Sequence, residues 1–417
     1  MIHRPLVQLG GPSATLAINE RSAAMRERGR QVYRLGLGQS PFPVPHHVVE
    51  SLREHAATKD YLPVRGLPEL RRAVARFHQT HGNATLASDT VIIGPGSKEL
   101  MFLLQLAFDG TNLLPSPAWV SYAPQALITG RRIARVETDF EHRWRVTPAA
   151  LDAVCRRVPG PKLLILNSPG NPDGLAYTRD ELDALTEILR RHSVVALSDE
   201  IYAPLHASGY APSLAEFYPE RTLISGGLSK WCGAGGWRLG TLMIPDALSE
   251  LRAAVVTAAS ETFTSVSAPI QWAACTAYAP DPSMADYLSR SRRVLRAVAN
   301  HCARALRTAG ARVHDSEGGF YLLPDFSGAQ HLAPSSDALC AELLDAADIA
   351  CLPGTAFGRR ADELSLRIAF VDFDGARALA EWDEKEDSER FVASHCPRIV
   401  TAMSQLISTL SPKSGRL

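Results

Sequence analysis

The chain has 417 residues, 46% of them hydrophobic and 21% charged, with 44 basic side chains balanced by 44 acidic ones. That length allows two to three domains with sizeable cores, and zero net charge argues against a surface dedicated to nucleic acid or anionic membrane. No apolar run approaches the ~18 residues of a membrane span or forms a leader, and seven scattered cysteines without a C-x-x-C pair read as reduced thiols. The expectation is a cytoplasmic protein without a metal centre.

Residues 14–30 read as an amphipathic helix ending at Gly29, and "VYRLGLGQSPFPVP" (32–45) as a short strand entering a Gly/Pro-rich loop. Helices are predicted over "HHVVESLREHA" and over "GLPELRRAVARFHQTHG", the second opened by Pro68 and closed by Gly82. From residue 90 the pattern alternates. "TVIIGPGS" is a β-branched run that breaks at glycine before the apolar helix "KELMFLLQLAF". "NLLPSP", "RRIARVET", "KLLILNSPG", "VVALSDEIY" and "RTLISGG" are further short strands, with helices such as "TRDELDALTEILRRH" between them. Buried strands alternating with helices predict an α/β layer on a largely parallel sheet. Residues 284–309 form a long helical pattern suited to a connector, followed by a smaller α+β set that includes "GGFYLLPDF", "DIACLPGTAFG" and "LSLRIAFVDFDG". The acidic stretch 381–390 reads as a solvated helix or loop.

The polar residues at the ends of these strands are where an open α/β sheet places a ligand. "GPGSKEL" (94–100) puts free backbone N–H groups at a helix start, an anion site that matches neither nucleotide-binding glycine spacing. Asn171 in "LNSPGNPDG" fits a turn, and Asp199 in "LSDEIY" sits at a buried strand end, where an unpaired carboxylate is costly and a salt bridge is the simplest partner. Only six of the 44 basic residues are lysines, so Lys230 in "SGGLSKWCGAGGWRLG" stands out. Its amine can lose a proton and attack a carbonyl, which the guanidinium of Arg238 cannot. Arg367 in "LSLRIAF" either faces inward as an anion ligand or outward from its strand.

In this order "YLPVRGLPELR", "GPGSKEL", "SPAWVSY", "NSPGNPDG", "SDEIY", "SKWCGAGGWRLG" and "LRIAF" resemble the class I/II, fold type I aminotransferases that use pyridoxal 5′-phosphate, in particular the prokaryotic-type aspartate/aromatic branch. The resemblance spans nearly the whole chain. It implies a large domain (51–305) with a mostly parallel mixed sheet between helices. A smaller α+β domain would be built from 1–50 and 306–417. Lys230 would form the Schiff base with the cofactor aldehyde and afterwards shuttle the Cα proton. Asp199 would pair with the pyridine nitrogen, Tyr202 and Asn171 with the ring oxygen, and Trp119 would stack on the ring face. Gly96, Ser97 and Lys98 would hold the phosphate, Lys98 chiefly through its main chain, together with Ser229 and Arg238. Tyr61 would reach the phosphate of a partner subunit, implying a homodimer with shared sites. Arg367 would grip the substrate α-carboxylate beside Gly38 and Asn171, with Asn167 behind them.

The implied reaction is ping-pong transfer of an amino group from an amino acid to a 2-oxo acid. A lyase, decarboxylase, cyclase or oxidase using the same cofactor is the alternative. A cofactor-sensing transcriptional regulator needs a DNA-binding domain ahead of the core, and only about 30 residues precede "VYRLGLG". Three departures stand out. Gly227 replaces a serine common in relatives, with Ser229 as a substitute. "NPDG" replaces "NPTG", read as a surface-turn change, and the acidic region after Arg367 is longer than usual. Neither the donor nor the acceptor is legible.

Overall fold

The computed structural model describes residues 14–80, 87–329 and 331–410. Its centre is a seven-stranded sheet of β1 (Val91–Gly94), β2 (Thr111–Ser116), β3 (Arg132–Glu137), β4 (Lys162–Asn167), β5 (Val195–Asp199), β6 (Thr222–Gly227) and β7 (Gly240–Met243), in the order β1-β7-β6-β5-β4-β2-β3. All pairings are parallel except those of β7, which runs antiparallel to β1 and β6. The leucine- and isoleucine-rich runs are strands because both faces are covered: Ile92, Leu113, Leu164, Leu197 and Leu223 are fully buried. Helix Arg179–Arg191 shows how the covering layer is set. Thr178 and Glu181 form a reciprocal capping box, and Leu182, Leu185 and Leu189 turn inward at helical spacing.

β7 is the strand that the sequence pattern does not announce, because it is four residues long and led by glycine. The chain order reverses between β2 and β4, and the carboxyl ends of β1, β2, β4, β5 and β6 open on one side of the sheet. Such a reversal leaves a crevice at those ends.

A second, three-stranded antiparallel sheet combines β8 (Tyr321–Leu322), β9 (Leu352–Pro353) and β10 (Leu366–Ala369) in the order β9-β10-β8. Tyr33–Arg34 pairs in parallel with Ile349–Ala350 nearby, as the short strand predicted at "VYR" requires. Helix Pro282–Thr308 starts at Asp281, whose carboxylate accepts from the Ser283 and Met284 N–H groups, with Pro282 in the first turn. It packs on the helices Ser388–His395 and Pro397–Leu410.

The acidic stretch finds its partners along that long helix. Glu384 pairs with Arg293, Glu389 pairs with Arg304 and with His301, and Trp382 packs edge-on against Phe391. All seven cysteines are free thiols, six of them buried. Among the described residues no helix is long and apolar enough to cross a membrane. Gly82, expected to close its helix, lies outside the described residues; the helix itself runs Pro68–Thr80.

Candidate active site

The crevice at the carboxyl ends of the parallel strands is a cleft of about 480 Å³. Gly38, Ser97, Lys98, Trp119, Asn171, Asp199, Tyr202, Ser229, Lys230, Arg238 and Arg367 all line it. These residues are spread over 330 positions of sequence, and the ends of β1, β2, β4, β5, β6 and β10 deliver them to one place. Gly96 stands directly behind the cleft. Tyr61 does not line it and is 90% exposed.

Lys230 follows β6 and is half-buried at the cleft wall. Its Nζ donates to the Gly38 carbonyl oxygen at 2.8 Å and lies 5.7 Å from the Tyr202 ring centre. Burial, then the Arg367 charge and the weaker Arg238 charge, lower its pKa from 10.5 to about 8 against the opposing pull of Asp199. Asp199 ends β5 and is pushed up to about 6, chiefly by burial. The partner it requires is not a cation. Tyr122 donates its hydroxyl to Oδ2 at 2.6 Å, and the Ile201 N–H reaches Oδ1 at 3.4 Å. Tyr122 was not singled out in the sequence, and it lies 77 positions from its partner.

Asn167 is a hinge pin. Its Nδ2 donates to the Asp199 carbonyl at 2.8 Å, and its Oδ1 accepts the Asn171 N–H at 2.7 Å. Asn171 in turn accepts from Arg367 Nη1 at 3.2 Å. Arg367 faces inward: it is 1% exposed, lies between the rings of Tyr321 and Phe357, and donates to the Gly36 carbonyl. Its Nε is buried without a hydrogen-bond partner among the described residues, although guanidinium donors at such a depth ordinarily find an acceptor.

At the other end of the cleft, Arg238 is solvent-exposed in the left-handed region at φ 55°, and its guanidinium donates to the carbonyl oxygens of Gly235 and Pro95. A Cβ on Gly96 would stand 2.2 Å from Arg238 Nη2, so only glycine lets that cation lie across the start of helix Ser97–Ala107. That helix has no side-chain cap, which leaves its first N–H groups uncapped beside the Arg238 guanidinium.

Trp119 follows β2, half-buried and edge-on to Tyr122 at 5.2 Å. The Lys98 side chain also extends to the cleft wall, with Nζ 5.6 Å from the Trp119 ring centre.

Two departures acquire physical reasons. Gly227 has φ 150°, and a Cβ there would meet the Leu239 carbonyl oxygen at 2.7 Å, so this backbone takes no serine without shifting. Asp173 overturns the expectation of a surface-turn change. It is 6% exposed and forms an ion pair with the equally buried Arg145 at 2.5 Å. Its other oxygen accepts the Leu175 N–H at 2.8 Å. "NPDG" reads as an exposed turn because its neighbours are turn formers; what buries it is an arginine 28 positions earlier.

The residues present fit pyridoxal phosphate. They offer a half-buried amine of lowered basicity, a buried carboxylate nearby, an aromatic face, and an anion cradle that a single Cβ would fill.

Comparison with known proteins agrees with this geometry. Residues 30–381 match the model of the family described as aminotransferase class I and II. Aspartate/prephenate aminotransferase of Thermus thermophilus is 32% identical over 358 residues, covering 84% of this chain and 90% of that protein. Aspartate aminotransferase of Geobacillus stearothermophilus is 31% identical over 360 residues, with 83% and 89% covered. Among solved structures, the Thermus thermophilus aspartate aminotransferase with maleate superposes with a TM-score of 0.84 at 27% identity, covering 98% of this chain and all of that one.

Proposed function

The chain belongs to the class I and II aminotransferases, which use pyridoxal 5′-phosphate to move an amino group from an amino acid to a 2-oxo acid, and on that premise we propose that it serves a dicarboxylic amino donor as a homodimer. The observation that carries the donor class is Lys98. Its ammonium lines the same cleft as Arg367 and pairs with no carboxylate among the described residues. Partial burial and the Arg238 charge lower its pKa, while the side chain stays open to an incoming carboxylate. Relatives named as aspartate aminotransferases support the same class.

In this reading Arg367 takes the α-carboxylate in a two-pronged grip, with its unpartnered Nε as one prong, and Lys98 takes the distal carboxylate. Bound through Lys230, the cofactor supplies an electron sink for the charge left at the donor Cα. Lys230, released by the incoming amine and of lowered basicity, carries the Cα proton. Asp199 holds a proton at the pyridine nitrogen, oriented by Tyr122 and Asn167. Arg238, Ser97 and Ser229 hold the phosphate, Trp119 covers the ring, and Tyr202 and Asn171 meet its oxygen. Tyr61, left 90% exposed in a single chain, is offered to the cleft of a second copy.

Protein loaded with the cofactor and incubated with a panel of amino acids tests this. The visible band should bleach fastest with aspartate or glutamate, with equimolar 2-oxo acid released. Lys98→Met should raise KM for those two by about tenfold and leave alanine unchanged. Faster bleaching by an aromatic or aliphatic donor would overturn the donor class.

A further inference from the structure

Tyr321 has no part in the scheme above, yet it touches both ends of it. β8 pairs with β10 so that Ala369 faces Tyr321, which brings the phenol alongside Arg367. The Arg367 guanidinium carbon lies 4.8 Å from the centre of its ring, and its hydroxyl lies 2.9 Å from that of Tyr202. Tyr321 is 1% exposed, and a Cβ on Gly38 would stand 1.8 Å from its hydroxyl oxygen. The backbone that receives Lys230 is therefore the backbone that leaves room for this hydroxyl.

Packing against Arg367 asks only for a ring, which phenylalanine would supply without burying a hydroxyl at a desolvation cost. Among the described residues the hydroxyl bonds to Tyr202. The role proposed for Tyr202 needs its O–H at the cofactor ring oxygen, which makes Tyr321 the donor of this pair. Arg367 favours loss of a proton from both phenols, against the larger opposing effect of burial, and its guanidinium stands over the Tyr321 ring. Tyr202 then accepts from Tyr321 and keeps its own O–H for the cleft, where the donation is strengthened by the bond behind it.

We propose that Tyr321 is a positioning residue that joins Arg367 to Tyr202, so that a carboxylate arriving at one is felt at the hydroxyl the other presents to the cofactor ring oxygen. The proposal rests on the roles proposed above for Arg367 and Tyr202. Without substrate, the Arg367 charge would strengthen the Tyr321 donation, Tyr202 would give the ring oxygen of a bound cofactor a stronger hydrogen bond, and the nitrogen joined to Lys230 would then give up its proton readily. A bound carboxylate neutralises Arg367, relaxes the chain, and favours retention of that proton.

The test follows the visible band of cofactor-loaded protein against pH, with and without succinate as an unreactive dicarboxylate. Tyr321→Phe should raise the midpoint of the substrate-free protein by about half a pH unit and shrink the succinate-induced shift, while donor KM changes less than about threefold. Tyr321→Leu, which also removes the ring, should raise KM by more than about tenfold. A Tyr321→Phe protein with the wild-type midpoint and the wild-type succinate shift overturns the proposal, as does a KM loss equal to that of Tyr321→Leu. A wild-type protein without a visible band would instead overturn the site reading on which the proposal stands.

Discussion

The two arginines of the cleft are held in opposite ways. Arg238 is exposed, sits in a left-handed backbone conformation beside glycines, and donates to main-chain carbonyl oxygens. Arg367 is buried to 1% exposure between two aromatic rings, with Asn171 and the Gly36 carbonyl on its fork and Nε left over. An exposed cation is screened, binds a doubly charged phosphate without specificity for what lies beyond it, and costs little to leave alone. A buried one is costly when unpaired, and that cost turns into selectivity for a planar anion able to reach it. The open end thus suits a group that stays, the closed end a group that comes and goes.

Lys230 lies between the two ends, and its loss should erase the contrast. Lys230→Ala is expected to abolish the visible band and reduce amino transfer by at least about a thousandfold in a coupled assay. Asp173→Ala strikes the turn that carries Asn171, an Arg367 partner, and leaves Arg145 buried without its carboxylate. Its expected cost is about 3–5 kcal/mol in chemical unfolding, with the open end's hold on the cofactor unaffected once the protein is folded.

The arginines themselves should separate. Arg367→Ala raises donor KM by about a hundredfold and leaves the cofactor dissociation constant alone, whereas Arg238→Ala weakens the cofactor by about tenfold and leaves donor KM alone. Fluorescence titration and steady-state kinetics on both variants read the two parameters, and a mixed pattern would break the division of labour.

The smallest effect concerns pH. Because the Lys230 pKa is lowered to about 8, the amine is cationic below that pH and free above it. Cofactor capture by cofactor-free protein should therefore speed up as pH rises through 8 and level off above it, running at about a tenth of the plateau at pH 7. A rate still climbing beyond pH 10 would mean that Lys230 has its ordinary basicity.

What the sequence makes legible follows the range of the forces. The β-branched runs and the glycines that end them are local signals, and they located β1 to β6 and the strand ends that carry Asn171, Asp199 and Lys230. Short, glycine-led β7 carries too little pattern to stand out. Tyr122 beneath Asp199, Arg145 behind Asp173 and Tyr321 beside Arg367 are contacts across 28 to 77 residues or between strands of different hairpins, and no window of sequence contains them. Arg367 itself could not be oriented from its strand, since the alternation that would turn it outward is overruled by two rings and an asparagine that arrive from elsewhere.

The segment Gly354–Arg359 ties the two ends of the cleft together mechanically. Phe357 packs on Arg367, its carbonyl accepts the Ala118 N–H at 2.9 Å, and Arg359 donates to the carbonyls of Ser116 and Thr138 at 2.6 and 3.0 Å. Trp119 follows directly. Substrate-range engineering therefore has a smallest exchangeable unit. A transplanted 354–359 loop must travel with the strand end 116–119 it is laced to, or the new pocket will inherit the old ring platform in the wrong place.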